Sequence, residues 1–367
     1  MINLAFFPSR RLALYMVRLF LTRSLAVLFA LILVLMTLDL LGEAGKILAV
    51  PGNGDAELWH YVVLRIPILV SRFLPFSVLL GTLIAFVSLN QNSEVVAMKA
   101  AGLSAHQILA PLVLAAAVVA VVSFSFNERV VTRATAALSA WQAVDYGPIP
   151  RESNVRANQY FTSGNDILEA GLVSGTGPAT QMRNVTFYQR DPRGMIVREL
   201  RSDSAVWANP GWRLAAPQIF DVRTAASTTA TGPVVVGQEL TLGQIALGKV
   251  DPDAEPLTQL SQSIKALDQA GRRTAEIKGK WWHKISGPLA AVLMPLLGAV
   301  AGFGLARSGQ LFTRAVIGMA LGFAYFIVDN AALALGSFGG YPPLLAAWAP
   351  FLLFFLVGET VLIRTEE

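Results

Sequence analysis

Asn92-Ser93-Glu94-Val95-Val96-Ala97-Met98-Lys99-Ala100-Ala101-Gly102-Leu103-Ser104 lies between two apolar runs, residues 62–89 and 107–126, each long enough to cross a bilayer. The stretch predicts one short helix of two to three turns. Ser93 is placed to cap its N-terminus, Glu94 sits where the helix dipole favours a negative charge, and Gly102 is placed to end it in a left-handed conformation. Val95, Val96, Met98, Ala100 and Ala101 make this helix mostly small and apolar although it stands outside the membrane. Two readings follow. It is a solvated connector, which its composition makes costly, or it docks on a partner that buries it.

The totals place the chain in a membrane. Of 367 residues, 54% are hydrophobic and 14% charged, with a mean hydropathy of +0.54, whereas soluble domains carry about 25% charged residues. No cysteine is present, which excludes disulfides, zinc-thiolate sites, iron–sulfur clusters and thiol nucleophiles. The net charge of +5 is modest, and its basic residues gather at membrane edges. It reads as an orientation signal and not as a nucleic-acid surface.

Working outward from the central stretch, six runs qualify as spans: residues 24–41, 62–89, 107–126, 285–306, 315–335 and 344–363. Residues 1–23 read as an interfacial amphipathic lead-in, not a cleavable signal peptide, since no small-x-small site follows the first run. Arg10, Arg11, Arg18 and Arg23 precede span one, Arg307 and Arg314 flank the loop between spans four and five, and Arg364 follows span six. The loop at residues 42–61 offers only Lys46 against Glu43, Asp55 and Glu57. Both termini and the Glu94 stretch are therefore expected inside, and the long insert after span three outside. Pro67 and Pro75 predict kinks in span two. Gly298/Gly302 and Gly318/Gly322 form Gly-x-x-x-Gly pairs in spans four and five, suited to close packing within the chain or between subunits.

The insert changes periodicity. Short alternating runs at 155–162, 166–172, 183–189, 196–201, 205–208, 212–215, 218–222 and 234–242 are separated by turn chemistry such as Asp191-Pro192-Arg193-Gly194 and Asn209-Pro210-Gly211. They predict an all-β sandwich or jelly roll. The expected organisation is residues 1–126 with spans one to three and the short helical stretch 92–104, a β domain at 127–256, a helical linker at 257–284, and spans four to six with a short tail at 285–367.

Catalytic and cofactor motifs are missing. Gly42-Glu43-Ala44-Gly45-Lys46 has the first glycine misplaced for a phosphate loop and no Ser or Thr after the lysine. His60, His106 and His283 lack ligand spacing and read as interfacial packing. Charges inside spans are the expensive residues. Arg65 and Arg72, seven residues apart, share one face of span two, with Asp39 and Asp329 as candidate partners. An intramembrane aspartyl protease fits poorly, because neither aspartate stands in a Tyr-Asp or Gly-x-Gly-Asp context.

The chain resembles the lipopolysaccharide-export permeases LptF and LptG. Ser93 to Gly102 is similar to their Ser-Glu-hydrophobic-hydrophobic-x-Met-x-Ala-x-Gly segment. Pro67, Arg72-Phe73-Leu74-Pro75 and Leu79-Leu80-Gly81 resemble their second span. Trp282-His283-Lys284-Ile285, Pro288-Leu289, Phe303-Gly304, Arg307 and Phe326 with Asp329 resemble the fourth and fifth. The LptG-like branch fits better than the LptF-like one, through the second span and the Trp-x-Lys-Ile stretch. Described members carry lysines just beyond span one; here Gly42 and Glu43 stand there, which shifts weight to Lys46, Arg65 and Arg72 as lipid-binding candidates.

The resemblance implies a permease of an ABC-type exporter in the inner membrane of a Gram-negative bacterium, with its β domain in the periplasm. It implies an LptF-like companion in a heterodimer, an LptB-like ATPase dimer that uses the ATP, an LptC-like anchor and an LptA-like periplasmic bridge. Lipopolysaccharide would be the cargo, with no cofactor on this chain and no nucleic acid. Glu94, Val95, Val96, Met98, Ala101 and Gly102 would form the ATPase-coupling segment. Two rivals remain: a lipid-modifying intramembrane enzyme and a passive membrane scaffold.

Overall fold

The computed structural model describes residues 8–148, 156–175, 177–242, 245, 250–269, 273–303 and 311–364. Arg307, the start of the first expected strand at 155 and the last three residues lie outside them, as does the side chain of Arg314. The helices are α1 (Arg10–Leu48), α2 (Asp55–Gln91), α3 (Glu94–Ala100), α4 (Ala105–Phe126), α5 (Thr132–Gln142), α6 (Leu257–Gln269), α7 (Ala275–Gly302), α8 (Leu311–Ser337) and α9 (Pro343–Arg364). Among the described residues, five helical stretches are long and apolar enough to span a membrane: α1, α2, the run Ala105–Gln142, Ala315–Ser337 within α8, and α9. The fourth expected run, residues 285–306, begins inside α7 and ends outside the described residues.

The expected lead-in is not a separate interfacial helix. Arg10–Arg23 forms the first turns of the 39-residue α1, which at about 1.5 Å per residue is roughly 58 Å long and exceeds the ~30 Å hydrocarbon core. Helix α2 runs unbroken through Pro67 and Pro75. The Ser77 hydroxyl donates back to the carbonyls of Phe73 and Leu74 at 3.0 and 2.8 Å, the local adjustment by which proline-bearing helices persist in apolar surroundings.

Two compact units divide the chain. The first comprises residues 1–39, 66–131 and 256–367. Its core draws Met16 and Phe20 from α1, Leu79 and Phe86 from α2, Ile108 and Leu112 from α4, Met294 and Leu297 from α7, Tyr325 from α8 and Phe354 from α9. Close approach depends on glycine. A Cβ at Gly81 would fall inside the Ser24 backbone, one at Gly322 inside the Leu79 side chain, and one at Gly298 would lie 2.8 Å from Thr82 Cγ2. Gly298 and Gly322 therefore pack against α2 of the same chain. Gly318 is buried in α8, and Gly302 closes α7 with surroundings outside the described side chains. Between α4 and α5 the helix widens into a π-turn, Asn127–Val131. It places Glu128 to accept the Leu257 N–H at 2.7 Å and to meet Lys284 Nζ at 3.6 Å, tying α6 and α7 to the end of α4.

The second unit comprises residues 40–65 and 132–255. Its helical portion continues to Gln142, beyond the expected boundary at 126/127, because residues 132–141 bury Ala134, Leu138 and Trp141 on one side. The strands are β1 (Arg156–Ser163), β2 (Asp166–Ser174), β3 (Gln181–Arg190), β4 (Ile196–Trp207), β5 (Trp212–Leu214), β6 (Gln218–Asp221), β7 (Ala226–Thr229) and β8 (Val234–Val236). All pairings are antiparallel in one sheet. Strands β1 to β4 form a meander. The far edge of β4 is shared, its C-terminal half by β5 and its N-terminal half by β6, with β8 and β7 pairing outside them. Phe161, Leu168, Met182, Val185, Phe187 and Trp212 fill the interior, and the Trp212 indole N–H donates to the Leu240 carbonyl at 3.3 Å. Two expected strands, 196–201 and 205–208, are the single strand β4, and β7 was not expected at all.

Candidate functional site

Helix α3 is seven residues long, about two turns. Ser93 does not cap it through its side chain. Its backbone is left-handed (φ 57°, ψ 18°) and no capping hydrogen bond forms, because the chain must reverse sharply after α2. The C-terminus closes as expected: Gly102 has φ +87°, its N–H donates to the Lys99 carbonyl at 2.9 Å, and the Leu103 N–H donates to the Met98 carbonyl at 3.1 Å. This paired closure is a Schellman motif. The next helix starts at once, with Ser104 and Gln107 forming a reciprocal capping box at the head of α4.

The faces of α3 differ. Val95 and Met98, 3% and 8% exposed, join the core that holds Met16, Phe20 and Leu89. The sequence reading assigned both to the docking face; the structure turns them inward, one turn apart on the same side. Val96, at 49% exposure, faces outward with Ala97, Ala100, Ala101 and Gly102. The outward patch is thus a valine among small residues. Glu94 stands at its N-terminal end and accepts a hydrogen bond from the Tyr15 hydroxyl of α1 at 3.1 Å. Lys99 lies over the Phe303 ring, 5.4 Å from its centroid, within cation–π range. Just beyond, His106 Nε2 meets Glu359 of α9 at 3.3 Å.

The lipid-binding candidates take distinct places. Arg65 is half-buried and Arg72 exposed on α2, and Asp39 is half-buried on α1. Asp329, read from sequence as a partner for these arginines, is buried on α8 and bonds His283 Nε2 of α7 at 2.9 Å. The histidine supplies a nearby ring nitrogen that satisfies the carboxylate. Lys46 is held by both oxygens of Glu43 at 3.0 and 3.1 Å. The same carboxylate accepts the Tyr146 hydroxyl at 2.7 Å, and Asn53 Nδ2 bonds the Ile47 and Tyr146 carbonyls. His60 packs edge-on to Trp141. No cluster of His, Asp and Glu that could hold a metal occurs among the described residues.

Sequence reasoning missed Tyr15, Glu359, Tyr146 and Glu128, and it singled out Phe303 without its partner Lys99. Their partners lie 79 residues away for Tyr15, 253 for Glu359 and 103 for Tyr146, and no local spacing signals such pairs.

Residues 14–364 match the family described as lipopolysaccharide export system permease LptF/LptG. The chain belongs to that family. It is 25% identical over 333 residues to the lipopolysaccharide export system permease protein LptG of Escherichia coli (strain K12), covering 89% of each chain. It is 23% identical over 334 residues to the LptG of Haemophilus influenzae, covering 86% of this chain and 89% of that one. As an LptF/LptG permease the chain is a transporter component, and its spanning helices place it in the inner membrane with a sheet domain inserted between them.

Proposed function

We propose that this LptF/LptG permease is the LptG-like half of an ABC-type exporter that lifts lipopolysaccharide out of the outer leaflet of the inner membrane. An LptB-like ATPase dimer drives it, an LptF-like permease completes the pathway, and an LptC-like anchor with an LptA-like bridge receives the cargo. The observation that carries this reading is the outward patch of α3, Val96 with Ala97, Ala100 and Ala101, in the loop that the arginine distribution assigns to the cytoplasm. Small apolar residues on a short exposed helix fit a groove on another protein.

The energetics support a borrowed fuel. Each methylene moved into water costs about 0.8 kcal/mol, so exposing one acyl chain of about a dozen methylenes costs about 10 kcal/mol. A lipid with several chains does not leave unaided. The cargo enters sideways between spans one and five of opposing subunits. Its anionic groups meet Arg65 and Arg72, with Lys46 near the outer end of span one, and its acyl chains pass to the apolar interior of the β domain, which faces the periplasm.

The test is copurification from detergent-solubilised membranes. Val96→Asp puts a charge in the centre of the patch and is expected to lower recovery of the ATPase at least tenfold, with the companion permease still present. Full ATPase recovery with Val96→Asp overturns the docking reading.

A further inference from the structure

Helix α3 and the head of α4 are tied to other helices by named side chains. Glu94 is bonded by Tyr15 of α1, Lys99 lies over Phe303 at the end of α7, and His106 at the head of α4 meets Glu359 of α9. Val95 and Met98 belong to the same core cluster as Met16 and Phe20, the α1 residues that follow Tyr15 directly and one turn on. Connectivity alone would let α3 move only α2 and α4. These contacts extend its reach to α1 and α7 as well.

We propose that Tyr15 is a positioning residue for Glu94, and that Tyr15 and Phe303 make the coupling helix move spans one and four together with spans two and three. The inference rests on the reading of α3 as the ATPase-docking segment. The chemistry suits the task. Glu94 is partly exposed, so without a partner its carboxylate samples several rotamers. The Tyr15 hydroxyl, on a ring 44% exposed, occupies one oxygen and fixes the orientation in which the other meets a cationic group of the partner. The grip on Lys99 works from the other end of α3. Phe303 is 7% exposed and packs on Phe86 of α2 at 5.3 Å between centroids, so a displacement of Lys99 is passed to a ring that is itself lodged in the core. A load on the outward face of α3 is thereby divided among four spans.

The experiment measures lipopolysaccharide transported per ATP hydrolysed, with the full exporter reconstituted in proteoliposomes. Wild type, Tyr15→Phe, Glu94→Ala and the double variant are compared, and Phe303→Leu is tested alongside. Tyr15→Phe keeps the ring and removes only the hydroxyl. It is expected to lower the transport-to-hydrolysis ratio by about three- to tenfold, the range for losing an ordinary solvent-exposed hydrogen bond, and to add nothing further in the Glu94→Ala background. Phe303→Leu is expected to lower the same ratio. A wild-type ratio in Tyr15→Phe, or additive losses in the double variant, overturns the proposal. So does a loss accompanied by a lower unfolding midpoint of the purified chain, since that assigns Tyr15 a merely structural role. Failure of the docking reading shows separately, as an ATPase that stays bound to Val96→Asp.

Discussion

Glu43 and Glu94 each accept a hydrogen bond from a tyrosine hydroxyl, in opposite settings. Glu43 receives Tyr146 at 2.7 Å and Lys46 on both oxygens, and Tyr146 is 4% exposed between Tyr61 and Trp141. Glu94 receives Tyr15 at 3.1 Å on an exposed surface. The first pair is embedded in aromatic rings and backed by Asn53, which also fastens the carbonyls on either side. The second stands alone. Burial and shared partners make a bond structural, because removing one member strands the others; exposure and a single partner leave a bond that can break and re-form during a cycle. The same side-chain chemistry is a rivet in one place and a latch in the other.

That contrast can be broken by experiment. The largest effect is expected for Tyr146→Ala, which empties a buried aromatic site and should cost about 3–5 kcal/mol of unfolding free energy. Tyr15→Ala should cost below about 1 kcal/mol. Equilibrium unfolding of the detergent-solubilised chain measures both, and equal losses would erase the distinction. Next, Gly81→Val tests whether the first unit relies on close helix approach where the second relies on bonded clasps. Its side chain collides with the Ser24 backbone, and a loss of about 1–3 kcal/mol is expected. Tyr146→Phe should cost about 1.5 kcal/mol or more, since the hydroxyl donates to Glu43 and also accepts from Gln142 Nε2 at 3.3 Å.

The smallest effects concern pH. Burial, then the hydrogen bond to Glu169, pushes the Tyr188 hydroxyl up to about 12. The folded value lies above the unfolded one, so its stabilisation is complete below about pH 10 and is lost as pH rises through about 12. Phenolate absorbance during an alkaline titration should show Tyr188 ionising after the exposed tyrosines. At the acid end, the Lys278 ammonium and the Thr274 hydroxyl hold Asp268 below the ordinary carboxylate range. Their contribution is present above about pH 4 and fades as pH falls through the depressed value. Amide exchange at residues 273–278 should quicken there.

Much of the architecture was legible because it is written locally. Apolar runs of spanning length, the turn dipeptides of the insert and Gly102 after α3 all act through neighbouring residues. What escaped was either conditional or distant. Arg201-Ser202-Asp203-Ser204 resembles a turn, yet Ser202 bonds the Ser204 and Ala215 carbonyls and the stretch runs straight through β4. Strand β7 is Ala-Ser-Thr-Thr, exposed throughout, with no alternation to detect. Residues 132–142 carry too little apolar character to announce a helix. At the candidate site, the composition of α3 pointed to a buried surface but not to which side was already buried. Val95 differs from Val96 only in the direction it faces, and the core it turns towards includes α1, whose Tyr15 is 79 residues from Glu94.

The wide turn at Asn127–Val131 holds one residue more than a regular helix would. Deleting Asn127 would turn Glu128 through about 100° about the helix axis and carry its carboxylate away from the Leu257 amide that now donates to it. The turn is a vernier: a single codon there sets the azimuth from which Glu128 reaches the two helices it holds.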